Sequence, residues 1–167
     1  PNPSALLVNN LSMTTIRNTN DISSYQLMCK MLNKFKEWGR AIYIGFNSIE
    51  FDEEFLRNSF FQNLQNPYFT QINGNQRADA LNIARASSVF HPTSLKILDI
   101  KKQFSLENLA KANNIDHSNA HDAMADVETT IDICRIIKKK APELWTRSLE
   151  TSSKNDEYVN KDDKCHN

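Results

Sequence analysis

Ala41-Ile-Tyr-Ile-Gly-Phe46 limits the possible folds more than any other stretch of the chain. A compact apolar run with β-branched and aromatic bias predicts a strand covered on both faces. Helical patterns flank it. Upstream, Tyr25, Met28, Leu32 and Phe35 recur every three or four residues from Ile22 onward, the spacing of one buried helical face. Asp21 or Ser23 is placed to cap that helix and Gly39 to end it. Downstream, a helix is predicted from Glu50 to Gln62 with Phe51, Phe55 and Phe60 or Phe61 inward. A covered strand between amphipathic helices describes an α/β chain.

The rest of the chain continues this pattern. Residues 70–77 read as a polar loop around Gly74, and Asp79 to Val89 as a helix packing Leu81, Ile83 or Ala84, and Val89, broken by His91-Pro92. Phe104 to Asn113 predicts a short helix through Leu106, Leu109 and Ala110. The last long helix is expected from Asp122 to Lys140, with Ala123, Val127, Ile131, Cys134 and Ile137 or Lys138 as its packing stripe. Lys138-Lys-Lys140 falls at its C-terminal end, where cations complement the helix dipole. Residues 1–20 read as a loop leading into the first helix, and 1–148 as one domain. Periodicity fades after Trp145, and the Ser/Lys/Asp/Asn-rich residues 149–167 are expected to form a polar tail or linker.

Composition excludes several classes. The 167 residues, 40% hydrophobic and 24% charged, suffice for one globular domain with a core. Twenty basic and twenty acidic residues cancel, so no global basic field draws a nucleic acid; a protein gripping phosphates through metal ions needs none. Cys29, Cys134 and Cys165 form neither a C-x-x-C pair nor an even disulfide framework, which fits a reducing, cytoplasmic setting. Cys134 reads as a small buried hydrophobe. No apolar run approaches the roughly 18 residues of a membrane span, and nothing at the start resembles a signal peptide.

Asn47-Ser-Ile-Glu-Phe-Asp52 and His121-Asp-Ala-Met-Ala-Asp126 carry the chemistry. Asp52 lies just past a strand's carboxyl end, where open α/β sheets place their ligands. Asp126 lies one turn into the last helix. His121 and Asp126, five apart, would point about 140° away from each other on one helix, so His121 is expected on the preceding loop. From there an imidazole titrating near neutrality is suited to take a proton from a metal-bound water. Asp122 reads as a helix cap. Phosphodiester hydrolysis needs such an assembly: two divalent ions roughly 3.5–4 Å apart activate the water and hold the departing oxygen, and scattered carboxylates hold the ions.

Gly45-Phe-Asn-Ser-Ile-Glu-Phe-Asp52 and Leu109-Ala-Lys-Ala-Asn-Asn-Ile-Asp-His-Ser-Asn-Ala-His-Asp-Ala-Met-Ala-Asp126 closely resemble the second and third motifs of the DEDDh 3′→5′ exonucleases, within that superfamily most of all the bacterial exonuclease I branch. The resemblance covers about residues 1–148. It implies a ribonuclease H-like exonuclease domain, a mixed sheet flanked by helices, and stepwise release of 5′-mononucleotides from the 3′ end of single-stranded DNA in repair and recombination. It implies a two-metal Mg²⁺ site, with Mn²⁺ as a substitute, held in part by Asp52 and Asp126, with His121 as general base. Arg57, Tyr68 and Arg85 fall where that branch contacts single-stranded DNA, a guanidinium suiting phosphate and an aromatic face a base. Arg77-Ala-Asp79 is similar to the branch's Arg-Trp-Asp, and Ser105 stands where it carries a substrate-binding Arg. Implied partners are single-stranded DNA and single-stranded DNA-binding protein, with no membrane and a monomer when complete.

The family's first motif, an Asp-x-Glu pair on an early strand, is not found, so the chain is expected to be an N-terminally truncated piece, inactive alone. The piece is likewise expected to stop short of the family's C-terminal domains. Asp52-Glu-Glu54 and Asp126-Val-Glu128 are literal Asp-x-Glu triplets, but residues two apart share a face on a strand and diverge by about 200° on a helix. Two other readings stand beside the exonuclease: a non-catalytic nucleic-acid-binding relative that lost the first acidic motif, and a structural α/β module in which Asp52, His121 and Asp126 are caps and turn residues.

Overall fold

The computed structural model describes residues 7, 12–14, 18, 22–116 and 123–153; His121, Asp122, Cys165 and the segment from 154 onward lie outside the described residues. Helix α1, Ser24–Trp38, opens on a capping box. Gln26 N donates to the Ser23 hydroxyl at 3.2 Å, and Ser23 N donates to the Gln26 side chain at 2.9 Å. The helix closes at Gly39, whose φ of 70° suits a residue without Cβ. Met28 and Leu32 are buried as expected, but Tyr25 is exposed. Periodicity marks a face without marking how far the neighbouring elements extend over it.

Strand β1, Ile42–Gly45, pairs in parallel with β2, Gln76–Asp79, in a register that sets Ile42 beside Gln76 and Gly45 beside Asp79. Two expectations change here. The polar stretch 70–77 contains the start of a strand, preceded by a short 3-10 turn, Phe69–Gln71. Gln-Arg-Ala-Asp has no strand signature of its own and is extended because β1 supplies its ladder. Nor is β1 covered on both faces: Tyr43 is partly buried, while Ile42 and Ile44 are each 40% exposed. Among the described residues its second edge has no partner strand.

Helix α2, Asp52–Gln62, buries Phe60, while Phe51 and Phe55, expected inward, are 70% and 71% exposed. At about 100° per residue Glu53, Leu56 and Phe60 share one stripe, and Phe55 lies about 140° away from Phe60. The stripe that meets α1 prevails, and the larger number of aromatics on the other face does not alter that. Helix α3, Ala80–Phe90, buries Leu81, Ile83, Ala84 and Ser87; Val89, out of phase with Ile83, is exposed. Helix α4, Leu106–Ala112, is capped by Ser105, a favoured residue at that position. The Ser105 hydroxyl accepts from Asn108 N at 3.3 Å.

Helix α5, Ala123–Lys140, turns Thr129, Thr130, Ile133 and Ile137 inward. The expected stripe holds at Ile137 and is otherwise out of phase. Val127 and Ile131 are exposed and line a cleft together with Ala123 and Cys134. Both stripes are apolar enough to pack, and contact with α3, α4 and a further helix selects one of them. That further helix, α6, Pro142–Glu150, has no counterpart in the sequence reading; it begins with Pro, at the position that needs no N–H donor. The domain boundary expected at 148 falls within it. A 3-10 turn, Thr151–Ser153, follows, and the Ser152 hydroxyl hydrogen-bonds the Gln76 side chain at 2.9 Å.

Two apolar clusters hold these elements. Ala78, Ile83, Ala84, Leu95, Leu109, Ile133 and Ile137, flanked by Leu144, Trp145 and Leu149, join β2 to α3, α4, α5 and α6. Met28, Leu32 and Phe60 join α1 to α2, with Phe35 at the hub: its ring centroid lies 5.0 Å from Tyr43 and 6.3 Å from Phe69. Among the described residues no helix is long and apolar enough to cross a membrane.

Candidate active site

The carboxyl end of β1 runs into a tight turn that delivers Asp52 to the head of α2. Asn47 adopts a left-handed φ of 56°. Gly45 lets the turn fold back, since a Cβ there would meet Ser48 Cβ at 2.7 Å. Glu53 N then donates to Ser48 O at 2.8 Å, starting the helix. Asp52, Glu53 and Glu54 form an acidic first turn, at the end where the helix dipole favours negative charge. Glu53 is tied in place, its Oε2 accepting from Thr70 Oγ1 at 2.8 Å with an Arg77 guanidinium nitrogen at 3.8 Å.

Asp126 comes from the opposite wall, in the first turn of α5, and is half-buried. Asp52 and Asp126 line the same cleft, of about 1180 Å³, which runs between β1, the head of α2 and the outward stripe of α5. The fold thus places two carboxylates from distant parts of the chain on the walls of one cleft. Arg85 on α3 reaches the cleft rim and, with Phe104 and Ser105, also lines a second cleft of about 560 Å³ containing Lys102. Arg57 and Tyr68 stand outside the lining of the main cleft and meet each other. The Arg57 guanidinium lies 6.0 Å from the Tyr68 ring centroid and is ion-paired to Glu54, the reach of a cation–π contact. His121 lies outside the described residues.

Two groups in the cleft wall hold their protons firmly. Burial, then the charge of Glu53, pushes the Tyr43 phenol above its ordinary range. Burial raises the Cys134 thiol to about 11, so it stays an inert thiol at neutral pH, in keeping with its reading as a small hydrophobe.

Carboxylate oxygens such as those of Asp52 and Asp126 are of the chemical type that suits a hard divalent cation of the Mg²⁺ or Mn²⁺ class, which takes a few protein oxygens and completes its shell with water and substrate. Among the described residues no group of three His, Cys, Asp or Glu side chains converges. Sequence reasoning places Asp79 at the start of a helix and gives it no part in the site. It does cap α3, its Oδ1 accepting from Leu81 N at 2.9 Å, but it also accepts from the turn ahead of Asp52: Asn47 N at 2.9 Å to Oδ1 and Ile49 N at 3.4 Å to Oδ2. The Arg77-Ala-Asp79 triplet is the available signal.

An exonuclease family model, RNase T, matches residues 1–134. Exodeoxyribonuclease I of Buchnera aphidicola (subspecies Acyrthosiphon pisum) is 34% identical over 164 residues, covering 95% of this chain and 39% of that protein. The Haemophilus influenzae exodeoxyribonuclease I is 35% identical over 158 residues, 92% of this chain and 33% of that protein. Among solved structures, the zinc-bound Escherichia coli exonuclease I complex with single-stranded DNA superposes with a TM-score of 0.80 at 32% identity, over 88% of this chain and 32% of that one. An ExoI/SSB-Ct complex superposes with a TM-score of 0.76 at 29% identity, with the same coverage. The chain spans between about a third and two fifths of the length of these relatives.

Proposed function

The chain belongs to the RNase T exonuclease family, with a ribonuclease H-like α/β fold, and from that premise we propose that it is part of a 3′→5′ exodeoxyribonuclease that removes 5′-mononucleotides from single-stranded DNA. The observation that carries this reading is the convergence of Asp52 and Asp126 on one cleft. When bound, a divalent pair of the Mg²⁺ type supplies an activated water and stabilises charge on the phosphate and the departing oxygen.

The protein's own residues do the rest. Asp52 and Asp126 hold the cations, the first at the dipole-positive head of α2, the second in the first turn of α5. His121 takes the proton of the attacking water. Arg85, at the cleft rim, meets a phosphate near the scissile bond, and Arg57 with Tyr68 holds DNA farther along its length by charge and by stacking. Single-stranded DNA and single-stranded DNA-binding protein are the partners this reading proposes, in keeping with the complexes known for its relatives.

In the full-length protein, Asp52→Asn and Asp126→Asn are each expected to slow nucleotide release from a 3′-labelled oligonucleotide by about a hundredfold or more, because each removes charge from the cation site. Near wild-type turnover in either variant would sink this reading.

A further inference from the structure

Helix α2 presents Asp52, yet no side chain caps its start: Phe51, at the N-cap, has no side chain able to accept a hydrogen bond. The hold comes from the neighbouring strand. Asp79 closes β2 directly beside Gly45 in the ladder and is 5% exposed. One carboxylate serves two elements. Its Leu81 bond caps α3, and its bonds to Asn47 N and Ile49 N fix the turn between β1 and Asp52. That turn contains a left-handed Asn47 and a Ser48 lodged against Gly45, a conformation that persists only where its surroundings enforce it.

We infer that Asp79 is a positioning residue: through the backbone of Asn47 and Ile49 it aims Asp52 into the cleft, without touching cation or DNA itself. This rests on the exonuclease reading of that cleft. A carboxylate suits the task better than an amide, because three N–H donors face it and an Asn in its place would turn an NH₂ donor toward Ile49 N. Groups that orient a ligand from behind typically change metal affinity by roughly 10–100-fold when removed.

Asp79→Ser separates the two roles, since a serine is a good helix cap yet too short to reach the turn. In the full-length protein, Mn²⁺ affinity measured by electron paramagnetic resonance without DNA, melting temperature, and kcat and KM on an oligonucleotide are compared for wild type, Asp79→Ser, Asp79→Asn and the core variant Leu95→Ala. Asp79→Ser is expected to weaken Mn²⁺ binding about tenfold and lower kcat at least as much, with KM within about twofold and a melting temperature above that of Leu95→Ala. Asp79→Asn should fall between it and wild type, because Oδ1 keeps two of its bonds. Wild-type Mn²⁺ affinity in Asp79→Ser overturns the inference. So does an equal loss in Leu95→Ala, which would make the effect one of general stability. A wild-type protein that binds no Mn²⁺ removes the exonuclease reading and this inference with it, whereas loss of binding in Asp52→Asn but not in Asp79→Ser removes the inference alone.

Discussion

At the residue scale, the polar side chains divide by the company the fold gives them. Arg57 shares its charge with Glu54 and its face with Tyr68, so in the proposed function its pull on DNA is partly offset by the ion pair it leaves. Arg85 bonds only weakly along its own helix, to Asn82 Oδ1 at 3.4 Å, and stands where two clefts meet. Arg85→Ala is therefore expected to weaken single-stranded DNA binding more than Arg57→Ala does, and to lower the slope of log affinity against log salt by roughly 0.7, the value for one phosphate contact on a single strand. Fluorescence anisotropy across a salt series, with a catalytically dead protein, checks this. Identical slopes for Arg85→Ala and wild type would place Arg85 off the DNA.

At the scale of elements, α2 is a helix with two apolar faces, and only one of them is core. Phe60 fills the space between α1 and α2 against Met28 and Leu32, while Phe55 projects from the opposite side. Phe60→Ala should cost about 3–5 kcal/mol, the range for truncating a buried aromatic. Phe55→Ala should stay within about 0.5 kcal/mol, as an exposed substitution. Urea denaturation of the two variants in the full-length protein measures the difference, and equal losses would mean that Phe55 is covered by something beyond the described residues. Helix α5 repeats the pattern, with Ile133 and Ile137 packed and Val127 and Ile131 facing the cleft.

At the scale of the whole molecule, two parallel strands make a small sheet, and one edge of β1 is unpaired among the described residues. Parallel strands are ordinarily covered on both faces, and a free apolar edge invites pairing with another chain. Residues 1–167 alone are accordingly expected to self-associate at micromolar concentration and to bind Mg²⁺ weakly, since no three candidate ligands come together among the described residues. Analytical ultracentrifugation and titration calorimetry test both; a monomer that degrades single-stranded DNA with Mg²⁺ would show that the chain completes its own site. How much of this was legible in the sequence follows from the range of each interaction. The existence of α1, α2, α3, α4 and α5, the strand at 42–45 and the family motifs around Asp52 and Asp126 are local properties, fixed by periodicity, caps and spacing, and they can be read along the chain. The strand at Gln76–Asp79 could not, because its hydrogen bonds belong to β1. The faces of α2 and α5 that became core could not either, since each helix carries two apolar stripes and burial is decided by which neighbour arrives. The second role of Asp79 was hidden for the same reason: its partners lie 30 and 32 positions away, and only a parallel ladder brings a carboxylate at the end of one strand beneath the turn that follows another.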